Sequence, residues 1–221
     1  MRSLLALLLI LLLGGAAPSK DWSRTASESA EGWTFGRPGA PLLAEYASFG
    51  CPTCGRFAAA SGQAIAEAVK AGKLRLSFRP FLIFPHDRAA TVLARCVPGP
   101  QRLGFIKAVL AAQPATKAKL GAIDGDDGLR RRLFEAELAG PEAQASVLGL
   151  LTGLSDLAVK HGLRPDAAGA CLADKANHAW LTEADMSARM AGITGTPTYV
   201  LAGRKLPTEL TPEQLVAHLP R

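Results

Sequence analysis

The chain opens on an unbroken apolar run, Leu4 to Leu13, set between Met1-Arg2-Ser3 and the small residues Gly14-Gly15-Ala16-Ala17. A run of this length is too short to cross a bilayer as a helix. It has the layout of a secretory signal peptide, with Gly15 and Ala17 flanking a cleavage point before Pro18. An uncleaved membrane anchor is the alternative; with no cysteine at the cut, a lipid-anchored form is not expected. Residues 18–32 are polar and rich in Ser, Ala and Glu, the composition of a flexible linker. From Trp33 the pattern becomes ordered. Trp33-Thr34-Phe35-Gly36 predicts a short edge strand, Leu42 to Ser48 a more apolar strand, and the alternating Leu74 to Arg79 a strand with one buried face. Between the last two, Phe57 to Val69 is alanine-rich, with Ile65, Ala66 and Val69 at helical spacing.

Beyond Pro85 the period changes. His86 to Gly192 reads as helical throughout, with breaks at Pro98-Gly99-Pro100, Pro114, Gly121–Gly128, Gly140-Pro141, Gly162–Pro165 and Asp174. Leu129, Leu133, Phe134 and Leu138 repeat at helical spacing, as do Val147, Leu150, Leu151, Leu154 and Leu157. Strand character returns at Thr198 to Leu201, turns at Ala202-Gly203-Arg204 and resumes at Lys205-Leu206. A last helix follows, capped by Thr211 with Pro212 in its first turn. Two strand-rich ends must meet to build one sheet, so the helical middle is an insertion. The expected organisation is an α/β fold: a leader over 1–17, a linker over 18–32, a first fold segment over 33–85, a helical insertion over 86–192 and a second segment over 193–221.

Composition adds little until charge is placed. The net charge of the 221 residues is +6, and the cations concentrate between Lys70 and Lys107, where eight of them face Asp87 alone. A solvated basic face is the plain reading, and acidic client chains or an anionic membrane surface are the partners it suits. Nucleic acid is not expected as a partner, because aromatics are sparse and export removes the usual targets.

The chemistry lies at Cys51-Pro52-Thr53-Cys54, at the junction of the apolar strand and the alanine-rich helix. The first sulfur then stands at a helix N-terminus, where free N–H groups and the helix dipole favour a thiolate. The second, one turn on, can resolve a mixed disulfide. Pro52 fits the first turn, which needs no N–H from it. Two other readings are half of a zinc site, which would need a second pair at short spacing, and a structural disulfide, whose loop here is too short to gain much chain entropy. Cys96 and Cys171 are isolated. In an oxidising compartment, with Cys51 and Cys54 as the redox pair, they are left to form a structural disulfide. Glu45 is an acid inside an apolar strand, and its pKa should rise if it is buried; an edge-strand acid reaching solvent is the other option. Pro197 enters a strand without an N–H to give, which marks an unusual loop. His86, His161, His178 and His218 are scattered and read as surface or capping residues. Met186, Met190 and Trp180 read as core, and Asp124 to Gly128 as a helix-capping loop, not a calcium site. No metal or cofactor is expected.

Together, Glu45 to Cys54, the helical insertion and Gly195-Thr196-Pro197-Thr198-Tyr199-Val200 resemble the DsbA-like thiol–disulfide oxidoreductases of the thioredoxin superfamily, of bacterial periplasmic type. The resemblance covers about Gly32 to Leu219. It implies a thioredoxin fold carrying a large all-helical insertion. Cys51 would be the exposed nucleophile, Cys54 the buried resolving thiol, Pro197 a cis-proline facing the pair, and Thr196 a backbone seat for an extended client, with Pro52 and Thr53 at the same surface. Glu45 would be the buried acid that exchanges a proton with Cys54. Thr53 stands where strong oxidants of the family carry histidine, which implies a thiolate with less charge stabilisation and a less oxidising disulfide. The expected partners are exported proteins with thiols or disulfides and a redox-recycling partner, soluble or membrane-bound. The linker is too short to be an isomerase dimerisation domain, so a periplasmic monomer is expected. The competing function class is a non-catalytic exported binding protein that holds unfolded chains or a soft metal such as Cu(I) through the dithiol; repeated turnover separates the two.

Overall fold

The computed structural model describes residues 20–220, so the expected signal peptide lies outside the described residues. A short 3-10 turn at Trp22–Arg24 leads into strands β1 (Ala26–Ser29), β2 (Gly32–Gly36) and β3 (Leu42–Ala47). Helix α1 (Pro52–Lys70) and strand β4 (Arg75–Pro80) follow, and after the helical insertion come β5 (Thr198–Leu201), β6 (Arg204–Lys205) and α10 (Pro212–Ala217). The strands form one mixed sheet in the order β1-β2-β4-β3-β5-β6. β3 is central, parallel to β4 and antiparallel to β5. This explains its sequence: a strand covered on both faces reads as an apolar run and not as an alternation. On α1, Cys54, Phe57, Ser61, Ile65 and Val69 are buried at helical spacing. The β5–β6 hairpin turns through Ala202 (φ 48°) and Gly203 (φ 81°). Thr211 and Gln214 cap α10 reciprocally.

The insertion consists of α2 (Pro85–Cys96), α3 (Gly99–Ala111), α4 (Gln113–Asp124), α5 (Asp127–Ala139), α6 (Pro141–Leu151), α7 (Leu154–Lys160), α8 (Ala167–Ala173) and α9 (Lys175–Met190). It shares one apolar core with the sheet, running from Phe35, Phe49 and Phe78 through Leu93 and Phe105 to Leu148, Leu154 and Leu172. Cys96 and Cys171 are bonded, tying the end of α2 to α8. Asp126 accepts from the Leu129 amide at 2.9 Å, so the Asp-Gly loop is a helix cap as expected.

Several expectations need correction. Residues 26–29 are not linker: they form edge strand β1, whose side chains are mostly exposed. Polar contacts hold it in place of apolar burial. Glu28 pairs with Arg95 and Arg102 and accepts from the Trp33 indole, while the Trp180 indole donates to the Ser29 carbonyl. The same pairs, with Arg79–Glu31, mean that the basic run is not simply a solvated face. The pattern from Val147 to Leu157 does not form one helix, because Gly153 adopts φ 79° and separates α6 from α7. The brief last strand is one residue earlier than expected. His86 and His178 are buried, whereas Met186 and Met190 are 55% and 84% exposed on α9 and not core.

Candidate active site

The end of β3 and the start of α1 present the dithiol. Cys51 is the N-cap of α1, and the Cys54 amide points to its sulfur at 3.5 Å. The Thr196–Pro197 bond is cis, and the Thr196 carbonyl meets Cys51 Sγ at 3.4 Å. Cys51, Cys54, Pro52, Thr196 and Pro197 therefore gather at one place. Cys51 is less open than an exposed nucleophile: it is 7% accessible, against 0% for Cys54. The approach of Thr196 accounts for part of that cover. Thr53 is partly buried, and its hydroxyl accepts from the Arg56 guanidinium at 2.9 Å.

The two sulfurs are electrostatically unequal. The Cys51 pKa is drawn down to about 5, first by the Cys54 thiol as hydrogen-bond donor, then by Thr196 and by the amides of Cys54 and Thr53, against the opposing effect of burial. The Thr196 hydroxyl is buried with no other partner, which leaves it free for the sulfur. Cys54 is pushed far above the ordinary thiol range by its bond to Cys51 and by burial. One sulfur is thus held as a thiolate at neutral pH and the other as a thiol.

Glu45 is buried in β3, a central strand, which removes the edge-strand alternative. Desolvation raises its pKa to about 7, although the Tyr199 hydroxyl donates to Glu45 Oε1 at 2.9 Å and acts in the other direction. Tyr199 is pushed well above the usual phenol range by burial, and it feels Glu45 and both sulfurs. Glu45 and Tyr199 border an apolar cavity of about 170 Å³ between α1 and α3.

Two further residues shape the site. Asp87, at the start of α2, is 1% exposed and accepts four hydrogen bonds: from the Ser48 hydroxyl (2.8 Å) and the amides of Gly50 (2.8 Å), Ile83 (2.9 Å) and Phe84 (2.8 Å). It fixes the loop that ends in Cys51. Gln113, the first residue of α4, donates to the carbonyls of Phe49 and Cys51 at 2.8 and 2.9 Å. Glycine leaves room at two places beside them: a Cβ at Gly50 would lie 2.6 Å from the Phe84 ring, and one at Gly55 would lie 2.2 Å from Gln113 Oε1. The sequence held a hint of Asp87, the lone acid in a basic stretch, and none of Gln113. Among the described residues no cluster of His, Cys, Asp and Glu is arranged to hold a metal, and no helix is long and apolar enough to cross a membrane.

A thioredoxin fold with a helical insertion and a Cys-x-x-Cys opposite a cis-proline defines the class, and comparisons agree. The thioredoxin family model matches residues 28–220, and the chain belongs to that family. Its fold is similar to a protein-disulfide isomerase from Novosphingobium aromaticivorans (24% identity, 79% of this chain and 88% of that one, TM-score 0.65). It is also similar to the thiol-disulfide oxidoreductase MdbA from Actinomyces oris (20%, 85% and 86%, 0.62) and to alpha-DsbA1 from Wolbachia pipientis (22%, 84% and 89%, 0.61). Comparison with curated proteins found no match.

Proposed function

We propose that this chain is a thiol–disulfide oxidoreductase that exchanges disulfides with exported proteins through Cys51 and Cys54, and that it works chiefly as an oxidant. The observation that carries this reading is the inequality of the two sulfurs, with Cys51 at a helix N-terminus beside Thr196 and drawn down to about 5. Stabilising the thiolate stabilises the reduced form, and so makes the disulfide a better oxidant. The solved thiol-disulfide oxidoreductases of similar fold support the same chemistry. In the oxidised protein, a client thiolate attacks Cys51 Sγ. The Cys51–Cys54 bond breaks and Cys54 leaves, taking up a proton for which Glu45, poised near neutrality, is the proposed source. A second client thiolate then attacks the client sulfur of the mixed disulfide. Cys51 leaves as a stable thiolate, the client is oxidised, and the protein is a dithiol awaiting a recycling partner. The expected location is the periplasm, reached through the leader. The proposed client seat is Thr196 and Pro197, with an extended client segment laid along them as an added strand.

The test is turnover of a peptide dithiol with a regenerating oxidant. Many disulfides formed per protein chain are expected; a single stoichiometric event would favour a binding protein holding clients or soft metal through the dithiol.

A further inference from the structure

Beside the dithiol lies a second, larger groove of about 760 Å³, running from Gly50 and Pro52 between the start of α1 and helix α4. This volume lies within the range of ligand-binding clefts. Its walls are largely apolar, with Phe84, Leu110 and Leu120 among them. Phe84 is still 37% exposed although it packs against Gly50, so the apolar surface opens next to the reactive sulfur. Two charged side chains line the groove, Arg56 and Lys117, and both are cations. No carboxylate lines it: Asp87, close in sequence, is buried and turned into the Ser48–Gly50 loop. Arg56 is oriented by its bond to the Thr53 hydroxyl. His86 also lines the groove, is 6% exposed, and leaves its Nδ1 buried without a partner.

We infer that this groove is the continuation of the client seat and that it selects client segments carrying a carboxylate and an apolar side chain close to the reacting cysteine. The inference rests on the exchange reading above. Arg56 stands one helical turn beyond Pro52, about 6 Å along α1, a distance that an extended chain crosses in about two residues. A client cysteine at Cys51 therefore brings the second residue on one side of it to Arg56, and more distant residues to Lys117. Apolar burial against Phe84 and Leu120 holds the segment, and the two cations with no opposing acid set its sign.

The test uses the mature chain and a set of dithiol peptides that differ only in Glu, Gln or Lys two residues from the cysteine, on each side in turn. On one side, Glu is expected to exceed Lys about 10-fold in kcat/KM at low salt, the attraction of Glu to Arg56 and the repulsion of Lys from it each giving a few-fold. The preference should lie in KM and shrink toward unity in about 1 M salt. In the doubly reversed variant Arg56→Glu/Lys117→Glu, the Glu-to-Lys ratio, taken within that variant so that any change in the dithiol cancels, should invert. Peptides with Ser in place of Cys, titrated by NMR, report binding without exchange and should follow the same order. Equal rates and equal binding for Glu and Lys on both sides, or a ratio that the reversal leaves unchanged, overturn the groove while turnover of the Gln peptide keeps the exchange reading. Charge-ordered binding of the Ser peptides without turnover of any dithiol peptide does the opposite.

Discussion

Glu45→Gln separates what burial does to this acid from what the acid does for the dithiol. Desolvation moves the Glu45 pKa from 4.5 to about 7, which corresponds to about 3 kcal/mol of penalty on the ionised form. A folded-state pKa above the unfolded one gives stability that is complete below pH 4.5 and is lost as the pH rises through 7. Glutamine does not titrate, and its side-chain oxygen can still accept from the Tyr199 hydroxyl. The variant should therefore gain on the wild type only as the pH rises: no pH-dependent advantage near pH 4, and up to about 3 kcal/mol near pH 8, an upper bound of about 10 °C in Tm for a chain of this size. Exchange turnover should fall, by about 100-fold if proton transfer limits it. Melts of both proteins as dithiols at pH 4, 6 and 8, with peptide oxidation rates at pH 7, measure both effects, and the Cys51 titration common to the two largely cancels in the difference. An equal Tm difference at pH 4 and pH 8 refutes the burial argument; unchanged turnover refutes the proton role.

The remaining predictions concern the scaffold. Replacing Cys96 and Cys171 together by Ala opens a bridge with a sequence separation of 75, for which the chain-entropy limit is about 4 kcal/mol; Tm should fall while peptide turnover persists, and an unchanged Tm contradicts the staple. Asp87→Ala strands the Ser48 hydroxyl and three amides, so urea unfolding should show a loss of at least about 3 kcal/mol, with Asp87→Asn losing less because one acceptor oxygen remains. A loss below about 1 kcal/mol in the alanine variant would mean that the loop finds other partners.

Legibility followed the physics of each segment. The β3 run, the alternation at Leu74 to Arg79 and the break residues of the insertion are local signals, and they located the sheet and most of the helices. The dithiol stood out because a Cys-x-x-Cys at a strand–helix junction leaves few other uses for its sulfurs. What failed was decided by contacts distant in sequence. β1 looks like linker because its order comes from Glu28 meeting Arg95 and Arg102, not from apolar side chains. Met186 and Met190 have the spacing of a core stripe, yet α9 leaves them on its open face. His178 is buried with its ring bonded to the Leu172 carbonyl, a contact that no pattern announces. Gln113 reaches the dithiol loop only because α4 folds back against α1.

The central claim is that Cys51 carries the exchange and Cys54 resolves it. Its most direct test is the trapping of mixed disulfides in the two single variants, Cys54→Ala and Cys51→Ala, each incubated with a disulfide-bearing client at pH 8 and read on a non-reducing gel with mass-spectrometric mapping of the bond. Without the Cys54 thiol the Cys51 pKa loses its largest lowering influence, but at pH 8 the helix N-terminus still supports a reactive thiolate. Cys54→Ala should accumulate a client bonded to Cys51, and Cys51→Ala should accumulate none. A client bonded to Cys54 in Cys51→Ala, with no adduct in Cys54→Ala, would contradict the assignment of both sulfurs.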